Sequence, residues 1–195
     1  MGLSPASKQD MLHTIGLSLP ETFRTLTHME DPCAAEKFSR LFVEKSDQIM
    51  VQNTRLFPDT LPCLHALKQY GYALGIVTTK YHRRIDAVFQ REQVLDWFDI
   101  ILGGDDVKSP KPSPEGIELA MNSLHCSPSQ VLYVGDSIVD AKTAQAACVD
   151  FAGVLTGTTL QKEFASYPTI GIYPTLSSLC TDAGLLNDRE AIQHV

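Results

Sequence analysis

The sequence predicts an α/β fold, a doubly wound parallel (Rossmann-like) sheet preceded by a small all-α lobe. After residue 70, short apolar runs alternate with amphipathic segments of about 10 to 15 residues. That alternation is typical of βαβ units, whose strands are parallel and whose helices cover the sheet. Before residue 70 the spacing of apolar residues is helical, and no strand pattern occurs.

The first 56 residues are predicted to form the helical lobe. One helix runs from Ser4 to about Ile15, and a second begins at Leu19-Pro20, where proline suits the first turn. The third begins at the cap Asp31-Pro32, and the turn residues Phe57–Thr60 place the lobe boundary after residue 56. The third helix carries the apolar residues Ala35, Phe38, Leu41, Phe42, Val43 and Ile49.

Residues 57–184 are predicted to form the sheet domain, and residues 185–195 a loosely held tail. The predicted strands are 72–77, 99–102, 131–135, 151–155 and 169–172. The predicted helices are 60–70, 82–92, one that begins with Ser113 as N-cap, 137–147 and 159–165.

Composition and charge narrow the classes of partner. The net charge of −7 argues against binding to nucleic acid or to an anionic membrane surface. No apolar run approaches the roughly 20 residues that cross a bilayer. The five cysteines are scattered without a C-x-x-C, and the six histidines lack metal-ligand spacing. We therefore predict a cytoplasmic protein with reduced cysteines.

Two carboxylates follow the apolar run of VLYVGDSIVD, residues 131 to 140. This run predicts a strand buried on both faces, and burial of an unpaired charge is costly. Asp136 and Asp140 should then lie at the strand's carboxyl end, one helical turn apart on the same side. Such a pair suits Mg²⁺. Alternatively, Asp136 or Ser137 caps the helix that begins there. From these ten residues, both interpretations remain open.

Two further strand ends carry groups that suit a phosphate. Thr78 and Thr79 end one strand, and Lys111 precedes a helix, where an ammonium group and a helix N-terminus both favour an anion. Together with the acids they would form a clamp around one phosphoryl group. Taken singly, a threonine is more often a turn residue and a lysine a solvated charge. Gly103–Asp106 indicates a glycine turn with surface acids more than a second metal site.

The order Thr78, GGDDVKSPKPSPEG and VLYVGDSIVDAKTAQAA resembles the haloacid-dehalogenase (HAD) superfamily, in particular its phosphoglycolate-phosphatase-like members with a helical cap. GLSLPETF is similar to the family's cap, and GVLTG to its following strand. The resemblance implies that Thr78 hydrogen-bonds the phosphoryl group, Lys111 stabilises the charged intermediate, and Asp136 with Asp140 holds Mg²⁺. It implies hydrolysis of a small phosphorylated metabolite, such as phosphoglycolate. Cys148 stands where the family usually has glycine, a change expected to be tolerated in packing.

The family's first motif, Asp-x-Asp, supplies the nucleophile that forms an aspartyl-phosphate, and it occurs nowhere in this sequence. We favour a fragment or misplaced start over a genuine inactive short form or a chain completed by a separate segment. In each case we expect this chain by itself to be inactive. A non-catalytic phosphate-binding or strand-accepting module is the alternative. A dehalogenase is a third and weaker interpretation, because dehalogenation has no use for Mg²⁺ held by Asp136 and Asp140.

The same resemblance implies that the central first strand of the sheet is absent. The strands before Thr78 and Asp136 would then pair directly or leave an open groove between them. Such a groove would accept a strand from another chain, and we therefore also predict a strand-exchanged homo-oligomer.

Overall fold

The computed structural model describes residues 4–14 and 17–186, except for the side chain of Gln48. The chain divides into two compact units, Met1–Thr54 and Arg55–Val195. The sequence places the corresponding boundary after residue 56. From residue 187 onward the predicted tail lies outside the described residues, as does the predicted end of the first helix near Ile15.

Three helices make up the described part of the first unit, α1 (Lys8–His13), α2 (Leu19–Thr27) and α3 (Pro32–Asn53). Side-chain caps fix where they begin. The Asp31 carboxylate accepts from the amides of Cys33 and Ala34 at 2.9 and 3.1 Å, which starts α3 at Pro32 as predicted. Helix α1 begins later than Ser4, because Ser7 is its N-cap.

An aromatic cluster packs α2 against α3. Phe23 is fully buried, and its ring centroid lies 5.6 Å from that of Phe38. Phe38 in turn lies 5.9 Å from Phe42, four residues further along α3. Of the three rings only Phe23 is fully buried, and burial of an aromatic ring contributes strongly to the stability of a core.

Helices and strands alternate in the second unit, as the sequence predicts. The helices are α4 (Thr60–Gln69), α5 (His82–Glu92), α6 (Glu115–Leu124), α7 (Ile138–Ala147) and α8 (Leu176–Asp182). The strands are β1 (Gly75–Val77), β2 (Ile100–Leu102), β3 (Leu132–Gly135), β4 (Asp150–Val154) and β5 (Gly171–Tyr173).

The five strands of the described residues are all parallel to their partners, but they form two sheets. β1 pairs with β2, with Gly75 opposite Ile100. β4 lies between β3 and β5, with Leu132 opposite Asp150. The predicted α/β class with parallel sheets is therefore confirmed. Within residues 17–186 no backbone hydrogen bond joins β1 to β3, so of the two predicted arrangements the structure has the unpaired one.

Alternate residues of the three-stranded sheet pack into two apolar clusters, one on each face. Phe151 of β4 packs with Ile117 of α6 and the alanines of α7. Its neighbours in β4, Ala152 and Val154, pack with Leu179 of α8. Helices on both faces are the doubly wound arrangement that the strand–helix alternation predicts.

Several local predictions are wrong. β3 is half-buried along its length, not buried on both faces, because no strand of the described residues pairs with its edge towards β1. The N-cap of α6 is Pro114, not Ser113, whose hydroxyl instead accepts from the Glu115 amide. Residues Gln161–Ser166 form a 3₁₀ helix. Helix α8 was not predicted, although Thr175 caps it with its side chain.

Candidate active site

The carboxyl ends of β1 and β3 carry the predicted site residues. Thr78 follows β1, and its amide donates to the carbonyl of Leu102 at 2.9 Å, continuing the pairing with β2. Its hydroxyl accepts from the Lys80 amide at 3.3 Å. Thr78 is half-buried and Thr79 exposed. This turn after β1 therefore presents two hydroxyl groups near the surface.

A cavity of about 10 Å³ lies beside this turn. Thr78, Thr79 and Lys111 all line it, together with the glycine turn Gly103-Gly104. The structure thus brings the three residues predicted to bind phosphate around one space. That space holds roughly one water molecule, so a phosphoryl group would have to lie at its mouth.

Lys111 forms the central ion pair of the site with Asp140. Its Nζ lies 2.6 Å from Asp140 Oδ1, and the two side chains are only 17% and 7% exposed. Lys111 also donates to the hydroxyl of Tyr133 at 3.2 Å. That hydroxyl donates to the Val77 carbonyl at 3.3 Å. Tyr133 of β3 therefore reaches across to the end of β1, a role that sequence reasoning missed.

The pKa values in this cluster favour charged Lys111 and Asp140. Burial alone would lower the pKa of Lys111, but Tyr133 and Asp140 outweigh it, and the pKa lies above its ordinary value. Burial alone would raise the pKa of Asp140, but Lys111 and Ser137 bring it below its ordinary value. Burial raises the pKa of Tyr133, which stays a neutral hydroxyl.

Ser137 and Asp140 form a capping box at the start of α7. Ser137 Oγ accepts from the Asp140 amide at 3.2 Å, and Asp140 Oδ2 accepts from the Ser137 amide at 3.1 Å. The capping interpretation is therefore correct for Ser137. Both Asp140 oxygens are engaged, one with this cap and the other with Lys111.

Asp136 differs from Asp140 in its surroundings. It is exposed, and within residues 17–186 its carboxylate forms no hydrogen bond or ion pair. The backbone of Gly157, in the turn after β4, approaches it so closely that a Cβ there would collide with the carboxylate. Asp136 thus offers free oxygens to a cation, whereas Asp140 would first have to release a present partner.

A second polar cluster lies beyond the Thr78–Tyr81 turn. His82, Asp105 and Asp106 bring ligand-type atoms within 4.8 Å of one another. The acids come from the glycine turn that the sequence indicates, but the histidine from α5 was not predicted to join them. The Asp106 Oδ2 atom already accepts from the Gly103 amide at 2.7 Å and lies 2.5 Å from His82 Nε2.

The fold and these side chains define a class of protein. It is an α/β protein with a lysine, aspartates and hydroxyl groups gathered at the carboxyl ends of parallel strands, where such sheets bind ligands. The chain belongs to the haloacid dehalogenase-like hydrolase family, whose family model matches residues 1–154.

Curated relatives and solved structures agree with this assignment. The chain is 33% identical to the pyrophosphatase PpaX of Bacillus velezensis over 147 residues, which are 75% of this chain and 66% of the relative. It is 31% identical over 147 residues to the phosphoglycolate phosphatase of Escherichia coli K12, covering 75% of this chain and 58% of the relative. The chain therefore matches less than two thirds of these relatives' length.

Two crystal structures extend the likeness in three dimensions. A haloacid dehalogenase-like hydrolase of Bacteroides fragilis superimposes with a TM-score of 0.83 and 45% identity, covering 91% of this chain and 85% of the other. A HAD hydrolase of family IA, variant 3, from Entamoeba histolytica has a TM-score of 0.80, 18% identity and coverage of 95% and 86%. Because its identity is only 18%, the Entamoeba histolytica structure shows a likeness of fold alone.

In the described part of the chain, no helix has the length and apolarity to cross a membrane.

Proposed function

We propose that this chain is the scaffold of a Mg²⁺-dependent phosphatase of the HAD type, acting on a small phosphomonoester similar to phosphoglycolate. One observation carries the proposal. The Lys111 ammonium group is paired with Asp140 at 2.6 Å and donates to Tyr133 of β3, and Lys111 lines one cavity with Thr78 and Thr79. The names of the relatives, a pyrophosphatase and phosphoglycolate phosphatases, support phosphate chemistry.

Each phosphate-binding residue has a defined task in this proposal. Catalysis of phosphoryl transfer is mainly positioning and neutralisation of negative charge. Lys111 stays cationic because its pKa is above its ordinary value, and Asp140 holds it in place. The Thr78 hydroxyl accepts from the Lys80 amide, which leaves its own proton free for a phosphoryl oxygen. Thr79 adds a second hydroxyl on the same turn.

The donor set at the end of β3 fits a magnesium ion. Asp136 supplies a carboxylate whose oxygens are free of described partners, and hard oxygen donors are what Mg²⁺ prefers. Asp140 would join it by exchanging its contact with Lys111 or Ser137. When bound, the cation supplies positive charge next to the phosphoryl group.

The attacking group is not supplied by an Asp-x-Asp of this sequence. We therefore propose that the 195-residue chain binds phosphate but does not turn over phosphomonoesters. Removal of a covalent nucleophile usually costs several orders of magnitude in rate. Phosphate release from a panel of phosphomonoesters with Mg²⁺ should not exceed that of an Asp136→Asn control. Clear turnover that disappears in Asp136→Asn would refute the inactivity of this chain.

Binding of inorganic phosphate tests the site itself. Calorimetry with Mg²⁺ present should show that Lys111→Met weakens phosphate binding by about 10- to 100-fold, since a charge-assisted hydrogen bond is lost. Lys108→Met is the matched control, because Lys108 is an exposed lysine of the same loop. Equal affinity in the two variants, or no binding by the unmodified chain, would contradict the proposed site.

β1 and β3 each have an edge that no strand of residues 17–186 pairs with, and these edges favour a second candidate, a non-catalytic module that accepts a strand. A second copy of this chain is the simplest donor, and strand exchange would then give a homo-oligomer. Light scattering after size exclusion over a wide concentration range tests this candidate. Monomer at every concentration would count against exchange between copies.

A further inference from the structure

Two turns lie side by side next to the proposed phosphate site. The first, Thr78–Tyr81, links β1 to α5, and the second, Gly103–Asp106, follows β2. The Gly104 amide donates to the Lys80 carbonyl at 2.9 Å. A Cβ on Gly104 would lie only 2.6 Å from the Thr79 carbonyl oxygen. The two backbones therefore touch directly, and the contact requires glycine at this position.

Side chains from α5 and the second turn complete this contact. Asp105 Oδ1 accepts from the His82 amide at 3.1 Å, at the start of α5. The His82 ring reaches Asp106, with Nε2 2.5 Å from Oδ2. Asp106 Oδ2 also accepts from the Gly103 amide of its own turn at 2.7 Å. One carboxylate thus connects the second turn to the residue that immediately follows the first turn.

We propose that His82 and Asp106 are positioning residues that hold the Thr78–Tyr81 turn in the conformation that binds phosphate. Neither side chain lines the cavity beside Thr78, so they act through the turn and not on the ligand. The proposal rests on the proposed function in one respect, namely that Thr78 and Thr79 bind a phosphoryl group.

The charges around His82 support the hydrogen bond between His82 and Asp106, which we call the tie. Three carboxylates face the His82 imidazole, those of Asp106, Asp105 and, at 3.8 Å from Nδ1, Asp86. The hydrogen bond to Asp106 is the largest of the effects that raise the pKa of His82 above its ordinary value. The protonated ring donates a charge-assisted hydrogen bond, which is stronger than a neutral one. The tie is therefore strongest below the raised pKa and weakens as pH increases through it.

Amide hydrogen exchange tests the tie without any ligand. His82→Gln and Asp106→Asn should each raise exchange in the Thr78–Tyr81 turn about tenfold, while amides of β3 and β4 are unchanged. His13→Gln is the matched control, because His13 is an exposed histidine of the other unit. With phosphate, the two variants should bind several-fold more weakly than the chain with His82 and Asp106 intact.

A measurement on the unmodified chain covers the case in which a variant does not fold. In an NMR pH titration, the amide shifts of Thr79 and Gly104 should follow the same midpoint as the His82 ring. The proposal would be overturned if these amide shifts had midpoints different from that of the His82 ring. It would equally be overturned if amide exchange of the turn were unchanged in both variants. If a chelator alone raised amide exchange in the Thr78–Tyr81 turn, the proposal would also be overturned, since a bound cation would then hold the turn. An ordered turn that binds no phosphate would refute the proposed function and leave the tie supported.

Discussion

Replacement of Asp140 by asparagine is the sharpest perturbation of the site. The change keeps the shape of the side chain and one acceptor for the Ser137 cap, but it removes the charge opposite Lys111. The pair is nearly buried, with the Lys111 side chain 17% exposed and that of Asp140 7% exposed. Asp140→Asn would therefore leave an ammonium group in the protein interior without its counter-charge.

The geometry sets the expected magnitude. Two unit charges 2.6 Å apart attract by about 6 kcal/mol at an effective dielectric constant of about 20. The cost of burying both groups offsets a large part of that attraction, and removal of one partner of a buried pair usually costs about 3–5 kcal/mol. Because asparagine keeps an acceptor, we expect a loss of about 3 kcal/mol in the free energy of unfolding. For a chain of this size, the melting temperature should fall by roughly 6–12 °C.

Trp97 makes the measurement specific to the second unit. It is the only tryptophan in the sequence, it is half-buried, and it lies within Arg55–Val195. Urea unfolding followed by its fluorescence should show the loss in Asp140→Asn. Asp136→Asn is the matched control, since Asp136 is exposed without a described partner and should change stability by less than about 0.5 kcal/mol.

A double replacement, Lys111→Met with Asp140→Asn, isolates the cost of the unpaired charge, because asparagine keeps the acceptor of the Ser137 cap in both variants. Because no charge is left unpaired, it should cost less than Asp140→Asn alone. The reasoning would be refuted if Asp140→Asn were no more destabilising than Asp136→Asn.

Two further predictions concern acid and thiols. Because the pKa of Asp140 is lowered from 3.8, the stability that this carboxylate contributes is present above pH 3.8 and is lost as pH falls through the lowered value. The difference in the free energy of urea unfolding between the unmodified chain and Asp140→Asn should therefore shrink in acid. An unchanged difference would contradict this prediction. Cys63 and Cys180 should resist iodoacetamide at pH 8, because both are buried and burial raises the pKa of Cys180 to about 12. Mass spectrometry should show rapid labelling of the two exposed cysteines alone, Cys33 and Cys148. Rapid labelling of either buried thiol in the folded chain would contradict the structure.

Local sequence signals were sufficient for most elements of the fold. Helix α5 has the predicted bounds, and Asp31 caps α3 as predicted. Both were predictable because the helical spacing of apolar residues and the capping of a helix depend on residues that are close in sequence. The burial of β3 was predicted wrongly, because its exposure depends on whether another strand pairs with its edge. The residues of β3 itself carry no information about that pairing. Helix α8 was missed, although Thr175 and Ser178 form a capping box at its start.

The site was predictable only in part. The order of Thr78, Lys111 and Asp136 along the chain placed them at strand ends, because carboxyl ends of parallel strands meet at one edge. Tyr133, which hydrogen-bonds Lys111, and His82, which hydrogen-bonds Asp106 beside the Thr78 turn, come into place through tertiary packing that no local pattern encodes.

Cys148 departs from the expectation for a local reason. The resemblance predicted a packing change there, but the residue has a φ of 57° at the C-cap of α7. Glycine is favoured at such a position because of its backbone freedom, so the departure concerns conformation and not packing.

The separation of β1–β2 from β3–β4–β5 has a consequence for cooperativity. Within residues 17–186 no backbone pairing joins the two sheets, so helices supply most of the connection. Helix α6 contacts both strands of the first sheet and also α7, and α4, which precedes β1, packs on α8, which follows β5. The distance from Thr78 to Asp136 is therefore set by helix packing together with the hydrogen bond from Tyr133 to the Val77 carbonyl. We therefore expect the two sheets to behave as separate foldons that share a helical layer. Substitutions at helix contacts, such as that between Cys63 of α4 and Cys180 of α8, can thus alter the site without touching any of its residues.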